Sequence, residues 1–196
     1  MPRAFRVLWT ITPRYYPQPW RNCSRCNRQT PFCCGGKFRL NANGKRLDAW
    51  LIYRCTVCDD TWNHAVVERR AARDLDPAML AAFEANDEAL VRRFALDVAV
   101  LRRSAHRVEE FPEVEVHRQP AEIPAGPTAM EITLAVPFAV SLRLDRLLAA
   151  ELGVSRGRIA ALAEAGALTT ATALNRPVRD GTTIIVSPPP QDVDLA

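Results

Sequence analysis

Six cysteines stand in the first 60 residues, and four of them form two pairs with the spacing of a metal site. Cys23 and Cys26 make one Cys-x-x-Cys pair, and Cys55 and Cys58 make another after 28 intervening residues. A Cys-x-x-Cys turn places two sulfur atoms on one metal ion, so two turns supply the four thiolates of a tetrahedral zinc site. Four protein ligands leave no position open for water or substrate. We therefore predict one structural Zn²⁺ ion held by these four cysteines.

The thiol chemistry leaves alternatives open. Four thiolates also bind iron, and a Cys-x-x-Cys pair can be redox-active, although such a pair usually follows a βαβ pattern at a helix N-terminus and neither pair does. Cys33 and Cys34 remain. Adjacent cysteines are poorly placed to be two ligands of one tetrahedral ion, so we interpret Cys33 and Cys34 as small apolar residues without a chemical role. A reactive thiol or a spare metal ligand is the alternative.

The segment between the pairs predicts a hairpin that brings them together. Residues 37–42 and 46–54 have strand-like patterns, and Asn43-Gly44 lies between them. This dipeptide favours a type I′ turn, which needs positive φ at both central residues. The returning strand leads directly to Cys55. Residues 5–11 also predict a strand, so the sequence favours a small zinc-ribbon-like β domain.

The run Gly36–Asn63, GKFRLNANGKRLDAWLIYRCTVCDDTWN, together with Cys23 and Cys26 before it, resembles a bacterial family, domain-of-unknown-function family 1062. The stretch Ala85–Arg103, ANDEALVRRFALDVAVLRR, is similar to the helical section of that family. The resemblance implies a cytosolic bacterial protein. It brings no activity and no substrate.

Residues 65–105 have the periodicity of helices, with Asp76 and Asp87 as predicted N-caps. Alternating segments at 113–117 and 130–136 predict two further strands. We expect an α+β protein of five parts. They are a zinc-ribbon-like domain at 1–66, a helical segment at 67–108, strands and a Pro-rich linker at 109–137, a small αα-β module at 138–188 and a disordered tail at 189–196.

Residues 142–168 predict two short helices separated by Gly153, with Ser155 as the N-cap of the second. Unpaired N–H groups at a helix N-terminus attract anions, and neighbouring guanidinium groups strengthen that attraction. The side chains that form this predicted phosphate-binding site are Arg143, Arg146, Ser155, Arg156 and Arg158.

This segment resembles the alpha-L RNA-binding motif, a small αα-β module. The matching segments are RLDRLL from Arg143, VSRGRI from Val154, GAL from Gly166, VRDG from Val178, and the strand from Thr182 to Val186. In that family, basic residues on both helices contact structured RNA. The resemblance implies the same role for the four arginines named above.

The positive charge is concentrated near the N-terminus. Residues 1–60 carry 11 Lys or Arg and 3 Asp or Glu, a net charge of +8, whereas residues 61–137 carry −4 and residues 138–196 are neutral. A concentrated positive field attracts phosphates. No apolar run approaches a membrane span, and the N-terminus lacks the features of a signal peptide, so we expect a cytoplasmic protein without membrane association.

The sequence contains no recognisable catalytic motif. Its three histidines, His64, His106 and His117, form no metalloprotease pattern, and no serine occupies a nucleophile elbow. We therefore predict a non-enzymatic zinc protein that binds nucleic acid, with structured RNA as the partner and no small-molecule substrate. The alternatives are a protein–protein adaptor with purely structural zinc and a thiol or metal enzyme that uses Cys33 or Cys34.

Overall fold

The computed structural model describes residues 5–119 and 129–187, which form ten strands and five α-helices. The predicted α+β class is therefore confirmed. In chain order, the strands are β1 (Phe5–Pro13), β2 (Gln18–Cys23), β3 (Arg28–Asn43), β4 (Arg46–Cys55), β5 (Thr61–Ala71), β6 (Arg107–Glu109), β7 (Val114–Arg118), β8 (Met130–Ala135), β9 (Leu168–Thr170) and β10 (Thr183–Val186). The helices are α1 (Pro77–Ala85), α2 (Glu88–Ala95), α3 (Val98–Ser104), α4 (Leu144–Glu151) and α5 (Arg156–Glu164).

The chain divides into two compact units, each built on its own five-stranded sheet. The first, here called the cysteine unit, is Tyr16–Glu110 and contains the antiparallel order β5-β4-β3-β2-β6. The second, here called the split unit, combines Met1–Tyr15 with Phe111–Ala196 and has the order β7-β1-β8-β10-β9.

The boundaries of these two units, after Tyr15 and after Glu110, differ from the predicted domain boundaries. Strand β1 was expected to belong with the cysteines, but it pairs in parallel with β8 and antiparallel with β7. Its alternating buried side chains fit either sheet, and only the long-range pairing decides between them. The centre of the predicted linker, residues 120–128, and the predicted tail at 189–196 lie outside the described residues.

Strands β3 and β4 form the predicted hairpin, but with a different turn. Asn43 pairs with Arg46, so the two turn residues are Gly44 and Lys45. Only Gly44 has positive φ, at 61°, whereas Asn43 is the last residue of its strand. A positive φ at the first central residue alone is typical of a type II′ turn, which glycine in that position favours.

The helical prediction for residues 65–105 is wrong at its start. Residues 65–71 belong to β5, which pairs with β4, because Val66 and Val67 are β-branched and pack well on a pleated surface. The helices begin only at Pro77. Asp76 and Asp87 cap α1 and α2 as predicted, since their carboxylates accept the N–H groups of residues two and three positions on. An unpredicted cap, Asp97, starts a separate α3.

One face of the sheet in the cysteine unit is covered by apolar groups from the helices. Helices α1 and α2 contact β3, α2 also contacts β4, and α3 contacts β6. The buried side chains of two adjoining clusters are Cys23, Phe32, Ala49, Leu51, Tyr53, Cys55, Phe83, Leu90, Val91, Ala95 and Leu101. Two of the predicted metal ligands are therefore part of the hydrophobic core.

Helices α4 and α5 cover the sheet of the split unit. Leu144, Leu147 and Leu148 of α4 and Ile159 of α5 are buried against a core that includes the fully buried Trp9. Burial of each leucine contributes on the order of 2 kcal/mol. No helix within residues 5–119 and 129–187 has the length and apolar character needed to span a bilayer.

Candidate metal centre and arginine cluster

The four paired cysteines converge at one end of the cysteine unit. The Sγ atoms of Cys23, Cys26, Cys55 and Cys58 all lie within 4.8 Å of one another. The Sγ atoms of Cys23 and Cys58 are 3.5 Å apart, and those of Cys26 and Cys55 are 3.9 Å apart. A tetrahedral ion with metal–sulfur bonds of about 2.3 Å requires sulfur–sulfur distances of about 3.8 Å. These cysteines could therefore hold one metal ion.

The two Cys-x-x-Cys turns share an unusual backbone conformation. The residue that follows each pair, Asn27 and Asp59, has positive φ, at 51° and 59°. Asn and Asp are the non-glycine residues that tolerate this left-handed region best. The conformation lets each turn fold back on itself, as shown by the Cys26 N–H, which lies 3.4 Å from Cys23 Sγ. An Asn or Asp directly after each pair was a sequence signal for this geometry that the pattern analysis missed.

Hydrogen bonds favour the thiolate form at Cys55. Burial alone would raise the pKa of this thiol, but the Thr30 hydroxyl, 3.2 Å from its Sγ, and the N–H groups of Val57 and Cys58 lower the pKa to about 6. A hydrogen bond with Cys58 raises the pKa of Cys26 to about 12. Because a cysteine binds a metal ion as the thiolate, metal binding at this site would release protons into solution.

Polar side chains connect the two turns directly. The Ser24 hydroxyl donates to Asp60 Oδ2 at 2.8 Å, and Arg25 Nη1 donates to the Cys58 carbonyl at 3.1 Å. The Ser24 hydrogen bond holds the pKa of Asp60 below its usual value. The protein thus supplies bonds between the two halves of the site besides those that a metal would make.

An aromatic cluster lies beside the cysteines. The centre of the Trp62 ring lies 5.1 Å from the ring centre of Tyr53, 5.0 Å from that of His64 and 6.3 Å from that of Phe32. The Arg21 guanidinium carbon lies 4.1 Å from the centre of the Trp62 ring. Burial, and then the charge of Arg21, lowers the pKa of His64, so this histidine is neutral at pH 7. Within the described residues, the group that could hold a metal ion consists of the four cysteines and does not include His64.

Cys33 and Cys34 lie outside this group. Cys33 Sγ donates to the Arg54 carbonyl at 3.5 Å. Cys34 lies across the hairpin from Tyr53, and burial raises the pKa of its thiol to about 11. A thiol with that pKa is protonated at pH 7, which does not favour a nucleophilic role.

The predicted RNA-contacting residues are grouped around the starts of α4 and α5. Ser155 caps α5, since its hydroxyl accepts the Arg158 N–H at 3.1 Å. Arg143 and Arg156 both donate to the carboxylate of Asp145, which is 8% exposed. Burial alone would raise the pKa of Asp145, but the hydrogen bond from Arg156 and the charge of Arg143 lower it.

The remaining arginines at this end are exposed. Arg146 and Arg158 make no ion pair within the residues that the structure describes. Arg176 lies next to the start of α4, because its carbonyl accepts the Leu144 N–H at 2.9 Å. The sequence analysis missed both Arg176 and the role of Asp145, although the carboxylate between Arg143 and Arg146 was a local signal for ion pairing.

A family profile described as "Protein of unknown function (DUF1062)" matches residues 40–174. The chain belongs to this family. The match begins within β3, includes Cys55, Cys58 and both C-terminal helices, and confirms the resemblance to family DUF1062. Comparison with curated proteins and with solved structures gives no match. The zinc-ribbon and alpha-L resemblances of this DUF1062 member remain predictions.

Proposed function

We propose that this DUF1062 protein is a non-enzymatic zinc protein that binds structured RNA. The observation that carries the proposal is the convergence of the starts of α4 and α5 on Asp145. Arg143 and Arg156 contact that carboxylate, Arg146 and Arg158 lie in the same two helices, and the Arg176 carbonyl accepts an N–H at the start of α4. These five arginines and Asp145 give a local charge of about +4. This charge lies at two helix N-termini, whose N–H groups also favour anions.

The ion pairs with Asp145 support phosphate binding because they hold two guanidinium groups in place. The side chains of Arg143 and Arg156 are still 43% and 50% exposed, so each retains surface for a second anionic partner. Arg146 and Arg158 are exposed beside them. Guanidinium groups recognise phosphate oxygens through several N–H donors, and such contacts position a protein on an RNA backbone without selecting bases.

Zinc is the metal that we propose for the four-cysteine site. A closed tetrahedral set of four thiolates is the usual arrangement of structural zinc, and the sulfur–sulfur distances fit it. The ion would hold the two turns together and so stabilise the cysteine unit. Iron accepts the same ligands but would colour the protein, so elemental analysis with an absorption spectrum distinguishes the two.

The test of RNA binding is a salt titration with a labelled RNA hairpin. Simultaneous Arg146→Glu and Arg158→Glu changes should weaken binding at least tenfold and reduce the slope of log affinity against log salt by about 2. The matched control reverses Arg6, which lies in β1, and Arg14, the residue directly after β1 in the same unit. Binding that ignores salt, or equal losses in both double variants, would contradict the proposal. Without RNA binding, a protein partner that survives nuclease treatment would favour the adaptor alternative.

A further inference from the structure

The cysteine unit has a second sheet face, opposite the one that the helices cover. Along β4 the buried residues alternate with more exposed ones, and Arg46, Asp48, Trp50, Ile52 and Arg54 all point away from the core. The register of β4 shifts against β3 between Cys34 and Phe38 and against β5 between Leu47 and Trp50, and in each case the extra residues lie on the neighbouring strand. We call these five residues and their cross-strand partners on β3 and β5 the outer face.

The centre of the outer face is apolar. Trp50 and Ile52 are half-buried, and the half-buried Ala65 of β5 lies directly across from Trp50. Among the described residues, neither Trp50 nor Ile52 belongs to the hydrophobic clusters of the unit, whereas Trp62 does. The indole of Trp50 is thus an apolar group that the core of its own unit does not use.

The edges of the outer face are cationic. Arg39 lies directly across from Trp50 on β3, and Arg46 and Arg54 stand four residues before and after Trp50 on β4. All three arginines are exposed. The acidic Asp48 lies between Arg46 and Trp50 on β4, and its Oδ1 already accepts the Arg69 N–H at 2.7 Å.

The spacing places positive charge on both sides of the indole. At about 3.3 Å per residue, each β4 arginine lies about 13 Å from Trp50 along the strand. The arginine across the hairpin is much closer, since directly paired residues have Cβ atoms about 5 Å apart. Exposed amides supply hydrogen-bonding groups on the flanking strands, at Asn41 and Asn63.

We propose that the outer face binds single-stranded nucleic acid, with a base stacked on Trp50 and phosphates held by Arg39, Arg46 and Arg54. Aromatic rings stack on the bases of single strands without regard to sequence, and a cationic groove beside them follows the backbone. A duplex keeps its bases paired and stacked, so it cannot use the indole in this way. This site lies in another unit from the proposed site for structured RNA and takes another form of nucleic acid.

The test uses the zinc-loaded full-length protein and fluorescently labelled oligo(U) and oligo(dT) of about ten nucleotides. Anisotropy at low salt should show binding of both oligomers by the native protein. Trp50→Ala should weaken that binding about tenfold or more, as expected for loss of one stacked base. Arg39→Gln together with Arg54→Gln should reduce the slope of log affinity against log salt by about 1.4.

Two control variants come from the same unit. Trp20→Ala removes an indole of β2 that packs under Arg107 of β6. Arg73→Gln with Arg93→Gln removes two exposed charges elsewhere. Both controls should retain oligomer binding. Zinc content and thermal unfolding show whether Trp50→Ala folds, and the Arg39/Arg54 double variant carries the test if it does not.

Three results would overturn the outer-face proposal: no oligomer binding by the native protein, unchanged binding by the folded outer-face variants, or equal losses in the controls.

The same variants distinguish failure of the outer-face proposal from failure of the structured-RNA proposal. The Arg146/Arg158 double variant should retain oligomer binding while it loses hairpin RNA, and Trp50→Ala should show the reverse. A native protein that binds hairpins but no single strand would leave only the structured-RNA proposal standing.

Discussion

Arg156 and Asp145, eleven residues apart, join the first turns of α5 and α4. Nε and Nη2 of Arg156 lie 3.0 and 2.7 Å from Asp145 Oδ2. Arg143 donates to both oxygens of the same carboxylate, at 3.1 and 2.9 Å. One acidic side chain therefore sets the positions of two of the arginines that we propose to contact RNA.

Replacing Asp145 with Asn should lower the free energy of unfolding by about 1–2 kcal/mol, because hydrogen bonds to a charged group are lost while both guanidinium groups remain partly solvated. Urea denaturation followed by circular dichroism measures this difference. Glu164→Gln, an exposed change on α5, is the control and should alter stability very little. Equal stability of the native protein and Asp145→Asn would show that the carboxylate does not join the helices.

The stabilising effect of Asp145 should depend on pH. Its pKa in the folded state lies below the usual value, so the contribution is complete above pH 5 and is lost as pH falls through about 3.9 and then through the folded-state pKa. The gap in urea midpoint between the native protein and Asp145→Asn should therefore narrow from pH 5 to pH 3. A gap that stays constant or widens would contradict the lowered pKa.

The metal centre predicts one ion per chain. Elemental analysis should find one zinc in the native protein and almost none in Cys55→Ser, because three thiolates cannot complete the closed site. The same loss, or chelation, should unfold the cysteine unit, which circular dichroism and proteolysis report. Cys33→Ser is the matched control, since Cys33 lies outside the sulfur cluster, and should keep its ion. A full metal complement in Cys55→Ser would rule out this ligand set.

The backbone after the second Cys-x-x-Cys pair offers a test of local geometry. Asp59 has φ of 59°, a conformation that glycine adopts freely and a β-branched residue resists. Asp59→Val should cost about 1–2 kcal/mol and weaken metal retention in a chelator competition, whereas Asp59→Gly should be near neutral. Similar behaviour of the valine and glycine variants would mean that this turn does not require positive φ.

The thiol of Cys34 should react slowly. With its pKa raised to about 11 by burial, its thiolate fraction near pH 8 is about two orders of magnitude below that of an ordinary cysteine. Mass spectrometry after timed iodoacetamide labelling, with free cysteine as the reference, measures the rate. Labelling of Cys34 as fast as the reference would revive the hypothesis of a thiol enzyme.

The sequence predicted the parts of this protein that depend on short-range geometry. Cysteine spacing identified the four cysteines whose Sγ atoms come together, since two residues between cysteines suffice to turn two sulfurs toward one point. Asp76, Asp87 and Ser155 were recognised as helix caps because a cap acts on N–H groups two or three residues away. Gly44 marked the hairpin, although the turn type was not the predicted one.

Other features escaped sequence analysis because they depend on partners far along the chain. Residues 65–71 become a strand only because β4 offers an edge to pair with, and periodicity over so few residues does not distinguish that outcome from a helix. The sequence alone does not distinguish the burial of Trp50 from that of Trp62. The register of the sheet turns Trp62 toward the core and Trp50 toward the outer face.

Local sequence alone determined the two Cys-x-x-Cys turns, the hairpin between them and the caps of the helices, because each depends on residues within a few positions of one another. Tertiary structure alone decided that β1 joins β8 about 120 residues later, that Asp145 links two helices, and that three arginines surround Trp50. The physical reason is that pairing register and side-chain burial are set by which distant strands and helices pack together, and no local pattern specifies that choice.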